Sequence, residues 1–215
     1  EIAVASTKAY TTQLALLYLI TARMALSRGI WDEEKAKAFM GELLRVPEVI
    51  EKVLGTKEEI HRLAGCIINA RDVFMIGRGL DYSILLEGSL KLKEVSYIHS
   101  EAYASGELKH GTIALITEDT PVIAVVTQEK LKSKELSNIR EVQSRGARVV
   151  LLIKEGETLN EGRQWSCVYR LPVMEDPFMV MPASVVLQLI AYYVSLDKGL
   201  DVDKPRNLAK VVTVE

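Results

Sequence analysis

Glu87, Lys91 and Glu94 stand at positions i, i+4 and i+7, so on a helix all three side chains leave from one face and an acid, an amine and a second acid share one small volume. Leu90 and Ile98 fall on the same stripe, which predicts that this face looks into the protein, where charges are costly unless paired or put to use. Spacing alone favours an ion-pair ladder worth roughly 0.2–0.5 kcal/mol per pair. Context favours chemistry. The stripe follows Gly77-Arg78-Gly79, which reads as a strand-end loop, and open parallel sheets bind ligands beyond the carboxyl ends of their strands.

His110 lies in the polar loop Gly106-Glu107-Leu108-Lys109-His110-Gly111, directly before the apolar Ile113–Ile116, and suits a proton carrier near neutral pH. His61 and His99 have no such setting and read as surface or structural. The Gly-Arg-Gly loop lacks a third glycine and the residues of a phosphate loop, so it reads as a tight turn rather than a nucleotide site. Lys210 sits among Leu208, Ala209, Val211 and Val212; if these bury it, desolvation favours the neutral amine that attacks carbonyls. Cys66 and Cys167 are far apart with no metal-ligand spacing, which predicts two buried thiols in a reducing compartment and no metal site.

The elements that must position these groups can be read in outline. Ser6 and Thr7 precede a mostly buried helix running to Arg28 and ended by Gly29. Asp32 caps a second helix, from about Glu33 to Arg45, that resumes after Pro47, and Lys57–Ala64 is a short third. Short apolar runs then alternate with helical periods: strands at Asp72–Ile76, Pro121–Val126, Arg148–Ile153 and Val168–Leu171, helices at Tyr82–Tyr97, Leu131–Ser144 and Ala183–Leu196. From about residue 55 the pattern is α/β, a doubly wound parallel sheet. The ending Asp201–Glu215 is irregular yet apolar enough to dock.

With 215 residues, 48% hydrophobic and 26% charged, the chain matches an ordinary globular protein with a substantial core. A net charge of -2 gives no basic footprint for nucleic acid. Thr12–Ile20 is too short, and interrupted too soon by Arg23, to span a membrane. A small-molecule or protein partner is therefore expected. The chain starts at Glu1 rather than methionine, which fits a fragment or a processed product.

Three segments in order, Ala5-Ser6-Thr7-Lys8-Ala9-Tyr10-Thr11-Thr12-Gln13, Leu86–Gly111, and Arg206-Asn207-Leu208-Ala209-Lys210 with Thr213-Val214-Glu215, closely resemble the C-terminal isomerase domain of the glucosamine-6-phosphate synthases, the glutamine:fructose-6-phosphate amidotransferases. The resemblance implies a flavodoxin-like sugar-isomerase (SIS) fold. Residues 1–54 would complete a first SIS subdomain and its linking helices, residues 55–200 form the second, and residues 201–215 form an active-site tail. It implies that Lys210 forms an imine with the C2 carbonyl of fructose-6-phosphate, which ammonia from a glutaminase domain then displaces. Glu94 would move the proton between C1 and C2, Lys91 held by Glu87 would assist at the sugar hydroxyls, and His110 would open the sugar ring in the neighbouring subunit's site. Val4, Ser6 and Ala209 match sugar contacts, and no cofactor is implied. The product would be glucosamine-6-phosphate, made by a cytoplasmic homodimer. One departure is Thr112, where the family commonly has proline, so a rigid turn after His110 is lost. Two rival readings are a non-catalytic sugar-phosphate-sensing SIS module and a deglycase or deaminase acting on fructosamine-type substrates; the tail lysine together with Glu94 favours the synthase.

Overall fold

The computed structural model describes residues 2–159, 165 and 167–210. Five strands form a parallel sheet in the order β2-β1-β3-β4-β5: β1 (Asp72–Gly77), β2 (His99–Ala104), β3 (Pro121–Val126), β4 (Arg148–Lys154) and β5 (Cys167–Leu171). This is the flavodoxin-like winding expected, with the direction of travel reversing between β1 and β3. β1, β3 and β4 are buried on both faces, which is why they read as uninterrupted apolar runs.

The side-chain period of two divides each strand between two cores. Val73, Met75, Ile123, Val125, Val150 and Leu152 face one side, where α4 (Leu80–Ser96), α7 (Val180–Asp197) and α3 (Lys57–Gly65) pack and α2 (Glu33–Gly55) adds a further layer. Phe74, Ile76, Val122, Ala124, Leu151 and Ile153 face the other, covered by α5 (Ser105–Leu108) and α6 (Lys132–Gln143). The stretch Asp176–Asp197 is long and apolar enough to cross a membrane, but it is a core helix here, with 72% of its apolar window buried inside the protein.

Several expectations change. α1 (Lys8–Ser27) is not mostly buried: only Ala22 is, while Leu16, Leu17, Leu19, Ile20 and Met24 are exposed, because within this chain only one side of α1 has neighbours to pack against. α2 is continuous through Pro47; burial of Leu43, Val46, Val49 and Val53 outweighs the lost backbone hydrogen bond. Its cap is as expected, the Lys35 N–H donating to Asp32 Oδ1 at 2.8 Å. Cys66 and Cys167 are not free thiols but a disulfide, because α3 packs against β5 and brings together positions 101 residues apart. The edge strand β2 went unread, since HSEAYA carries no apolar run.

α4 and α7 meet closely at Gly88, where an added Cβ would lie 2.8 Å from Leu187 Cδ1 and 3.1 Å from its Cβ. Gly41, on the outer face of α2, has nothing within 4 Å of the same position. Gly88→Val therefore lowers the free energy of unfolding in urea by about 1–3 kcal/mol through overpacking. Gly41→Ala raises it by up to about 1 kcal/mol through helix propensity. Equal effects from the two changes would contradict this packing.

Candidate active site

α4 begins at the carboxyl end of β1 and runs back along the sheet. Its C-terminus is closed by Tyr97 in the left-handed conformation, φ 61°, whose N–H returns to the Lys93 carbonyl. On this helix Lys91 is buried, its ammonium 2.5 Å from Glu94 Oε2 and 3.5 Å from Glu87 Oε1. Burial pushes the Glu87 carboxyl up; the Lys91 charge opposes that shift and the Glu94 charge adds to it. The Glu87 charge in turn reaches Tyr10 on α1. The three-residue cluster is thus real and half-enclosed, with one amine shared by two acids.

Its setting differs from the expectation. Leu90 is 43% exposed, and Ile98, though buried, lies beyond the end of the helix. Lys91 and Glu94 occupy the last two turns of α4, roughly 20 Å from its start. The cluster therefore lies on the flank of the subdomain rather than beyond the strands' carboxyl ends.

What gathers at that flank is the two ends of the chain. The Val4 N–H donates to the Asp203 carbonyl at 3.0 Å, and the Lys210 ammonium donates to the Ala3 carbonyl at 3.0 Å. The Arg206 N–H donates to the Tyr97 hydroxyl at 2.8 Å, and its guanidinium lies 4.2 Å above the Tyr97 ring. Asp201 Oδ1 accepts from the Asp203 and Lys204 N–H groups and shapes the turn. The tail does dock, against Tyr97, three residues past Glu94. Val4 and Ser6 are half-buried and Ala5 is in the core. Lys210 and Ala209 are exposed, so the expected desolvation of Lys210 is absent in this chain. Val211, Val212 and Thr213-Val214-Glu215 lie outside the described residues.

His110 is far from this cluster. It follows α5, at the carboxyl end of β2, with its N–H on the Glu107 carbonyl at 3.0 Å and its side chain exposed. Thr112 opens a 3-10 turn, Thr112–Leu115, after Gly111 at φ 153°. His61 sits between Asp197 and the Tyr193 ring, and His99 pairs with Asp72 at 3.1 Å, both at the surface.

The crevice between β1 and β3, where doubly wound sheets take ligands, is filled from within. Gly79 turns at φ 58°, and Asp81 accepts from both the Thr127 N–H and hydroxyl. Burial raises the Asp81 carboxyl to about 6, against the lowering pull of its Thr127 hydrogen bonds. Sequence reasoning missed this buried carboxylate and its neighbour Glu135, whose burial depends on three elements converging. An open cavity of about 570 Å³ lies at the opposite, amino ends of the strands, lined by Arg71, Asp72, His99 and Arg148 among others. Another of about 630 Å³ lies beside Lys154 and Asp176. Neither is lined by the Glu87, Lys91, Glu94 cluster or by Lys210.

A family model described as SIS domain matches residues 66–197. The chain belongs to the SIS-domain family. This SIS chain is 53% identical over its full length to a relative from Caldanaerobacter subterraneus named glutamine--fructose-6-phosphate aminotransferase (isomerizing), and it spans 35% of that relative. A relative of the same name from Methanosarcina acetivorans is 45% identical, again over the whole of this chain and 35% of its own. Among solved structures, the C-terminal domain of glucosamine-fructose-6-phosphate aminotransferase from Francisella tularensis superposes with a TM-score of 0.89 at 38% identity, covering 95% of this chain and 58% of that one. A glucosamine-6-phosphate deaminase from Thermotoga maritima shares the fold, with TM-score 0.71 and 24% identity over 98% of this chain and 58% of its own.

Lys91→Met removes the cation and leaves two half-buried carboxylates side by side. Burial already raises the Glu87 carboxyl, and losing the lowering pull of Lys91 raises it further, so the loss is largest above its folded-state pKa and shrinks as Glu87 protonates on acidification. The variant is destabilised by about 2–4 kcal/mol at pH 7, and urea unfolding toward pH 4 recovers much of the loss; a pH-independent deficit would show that Lys91 contributes packing alone.

Proposed function

We propose that this chain is the C-terminal part of the isomerase domain of a glutamine-dependent fructose-6-phosphate aminotransferase, cytoplasmic and dimeric, producing glucosamine-6-phosphate. The observation that carries the reading is 53% identity along the entire chain to an enzyme of that name; the ion pairs of Glu87, Lys91 and Glu94 and the Lys210 contact with Ala3 support it. Residues 1–54 complete a first SIS subdomain with its linking helices, 55–200 make the second, and 201–215 are the active-site tail. The partners are fructose-6-phosphate and a glutaminase domain of the same parent chain. Cytoplasmic thiol systems keep most disulfides reduced, so this placement makes Cys66–Cys167 a reducible pair.

In this mechanism the neutral Lys210 amine adds to the C2 carbonyl and water leaves, forming a ketose imine. Ammonia adds to the imine carbon and the Lys210 amine departs. Glu94 takes a proton from C1 and returns it to C2, converting the ketose imine to the aldose amine, with Lys91 neutralising charge on the intermediate oxygens. One carboxylate can serve both carbons only if it faces one side of the planar intermediate, and Glu94 is fixed in one direction by its bond to Lys91. Val4, Ser6 and Ala209, at the paired chain ends, contact the sugar. Lys210 is exposed in this chain, so the substrate and the rest of the parent protein enclose it and exclude water as the imine forms. His110 lies at the far end of the sheet from Glu94, which supports its action as ring-opening residue in the neighbouring subunit's site.

In the intact enzyme, Glu94→Gln lowers amination at least about 100-fold and abolishes solvent deuterium uptake into the product, while glutamine hydrolysis persists. Uptake at the unaltered rate would remove Glu94 from the proton transfer.

A further inference from the structure

The segment that carries His110 follows an edge strand: within the sheet β2 pairs, among the described residues, with β1 alone, and α5 follows it immediately. α4 holds the start of the strand through Ser89 and Ser100, and α6 meets the segment beyond its end. The Ser105 hydroxyl, at the first position of α5, donates to Glu135 Oε1 at 2.7 Å. One turn along α6, Asn138 Oδ1 accepts from the Arg78 guanidinium at 2.9 Å. That guanidinium lies against Gly106, where an added Cβ would come within 2.9 Å of its nitrogen, so a larger residue at 106 would push the Arg78 side chain aside. Leu108 closes α5 into the core formed with Ile139 and Val142 of α6. Residues 105, 106 and 108 are thus each tied down by one face of α6 and its Arg78 partner. His110 is two residues further on.

Glu135 is the costly member of this latch. Its residue is 2% exposed, and its Oε2 is buried with no hydrogen-bond partner among the described residues. Arg78 and Asp81 are the charged groups acting on it, one favouring and one opposing ionisation, and burial raises its carboxyl to about 7. An apolar residue here would avoid that penalty, while a carboxylate gives α5 a directional hydrogen bond.

We propose that Glu135 is a positioning residue for the reaction, holding His110 in register through Ser105, with Arg78 completing the latch on Gly106. The inference rests on the ring-opening role given to His110 above. Glu135 touches no sugar atom and acts only through the placement of α5.

The test uses the full-length enzyme. Glu135→Ala and the smaller change Ser105→Ala each speed amide hydrogen exchange over residues 105–111 by about tenfold and lower kcat by roughly 10–100-fold, with KM for fructose-6-phosphate nearly unchanged. Glu135→Gln, which keeps an acceptor for Ser105, restores both. In the His110→Ala background, Glu135→Ala causes no further loss of kcat. Unchanged exchange in both variants overturns the latch, and a kcat loss that persists undiminished in the His110→Ala background overturns its action through the histidine. If His110→Ala costs no activity while exchange still responds, the ring-opening reading fails and the catalytic part of this inference with it, leaving the latch as structure alone.

Discussion

The site depends on one buried ammonium. Lys91 is placed where an unpaired cation would be strongly disfavoured, and it is tolerated because Glu94 and Glu87 stand one turn to either side on the same helix. The same arrangement constrains the acids. Glu94 cannot rotate freely without leaving the ammonium under-neutralised, so its direction is set by electrostatics rather than by a rigid side chain. Contacts from α7 and β2 hold α4 in place. Gly88 lets α7 approach without a gap, Ser89 and Ser100 exchange hydrogen bonds between the helix and β2, and the Ser195 hydroxyl reaches the Val95 carbonyl from α7.

The second constraint is that the chain's two ends pair with each other. The Val4 to Asp203 bond and the Lys210 to Ala3 bond place the tail beside the segment leading into α1, and Tyr97 receives it at the end of α4. Segments separated by more than a hundred residues, the end of α4 and the tail, are thereby brought to one flank. In a chain that spans 35% of its relatives, the apolar side of α1 and the Lys210 side chain both stand exposed.

The sheet was legible in the sequence wherever strands are buried on both faces, as Pro121–Val126 shows by coinciding with β3. It was illegible at the edge, where β2 needs to satisfy only one neighbour and tolerates serine, glutamate and histidine. The helical triad was readable because its logic is local, a matter of i, i+3 and i+4 spacing. Its distance from the carboxyl ends was not, since that depends on how far along α4 the residues fall relative to the sheet. The Asp81 and Glu135 carboxylates escaped notice for the same reason: each begins or follows an ordinary helical turn and is buried only by partners 46 and 30 residues away. The pairing of Cys66 with Cys167 likewise follows from packing of α3 on β5, which no spacing rule encodes.

The account requires that the tail amine become covalently attached to the sugar. Reduction with borohydride during turnover of fructose-6-phosphate by the full-length enzyme, followed by peptide mass spectrometry, tests this directly. The account predicts a hexose-phosphate adduct, joined through a secondary amine, on Lys210. An adduct confined to another lysine, or none while amination proceeds, would contradict it.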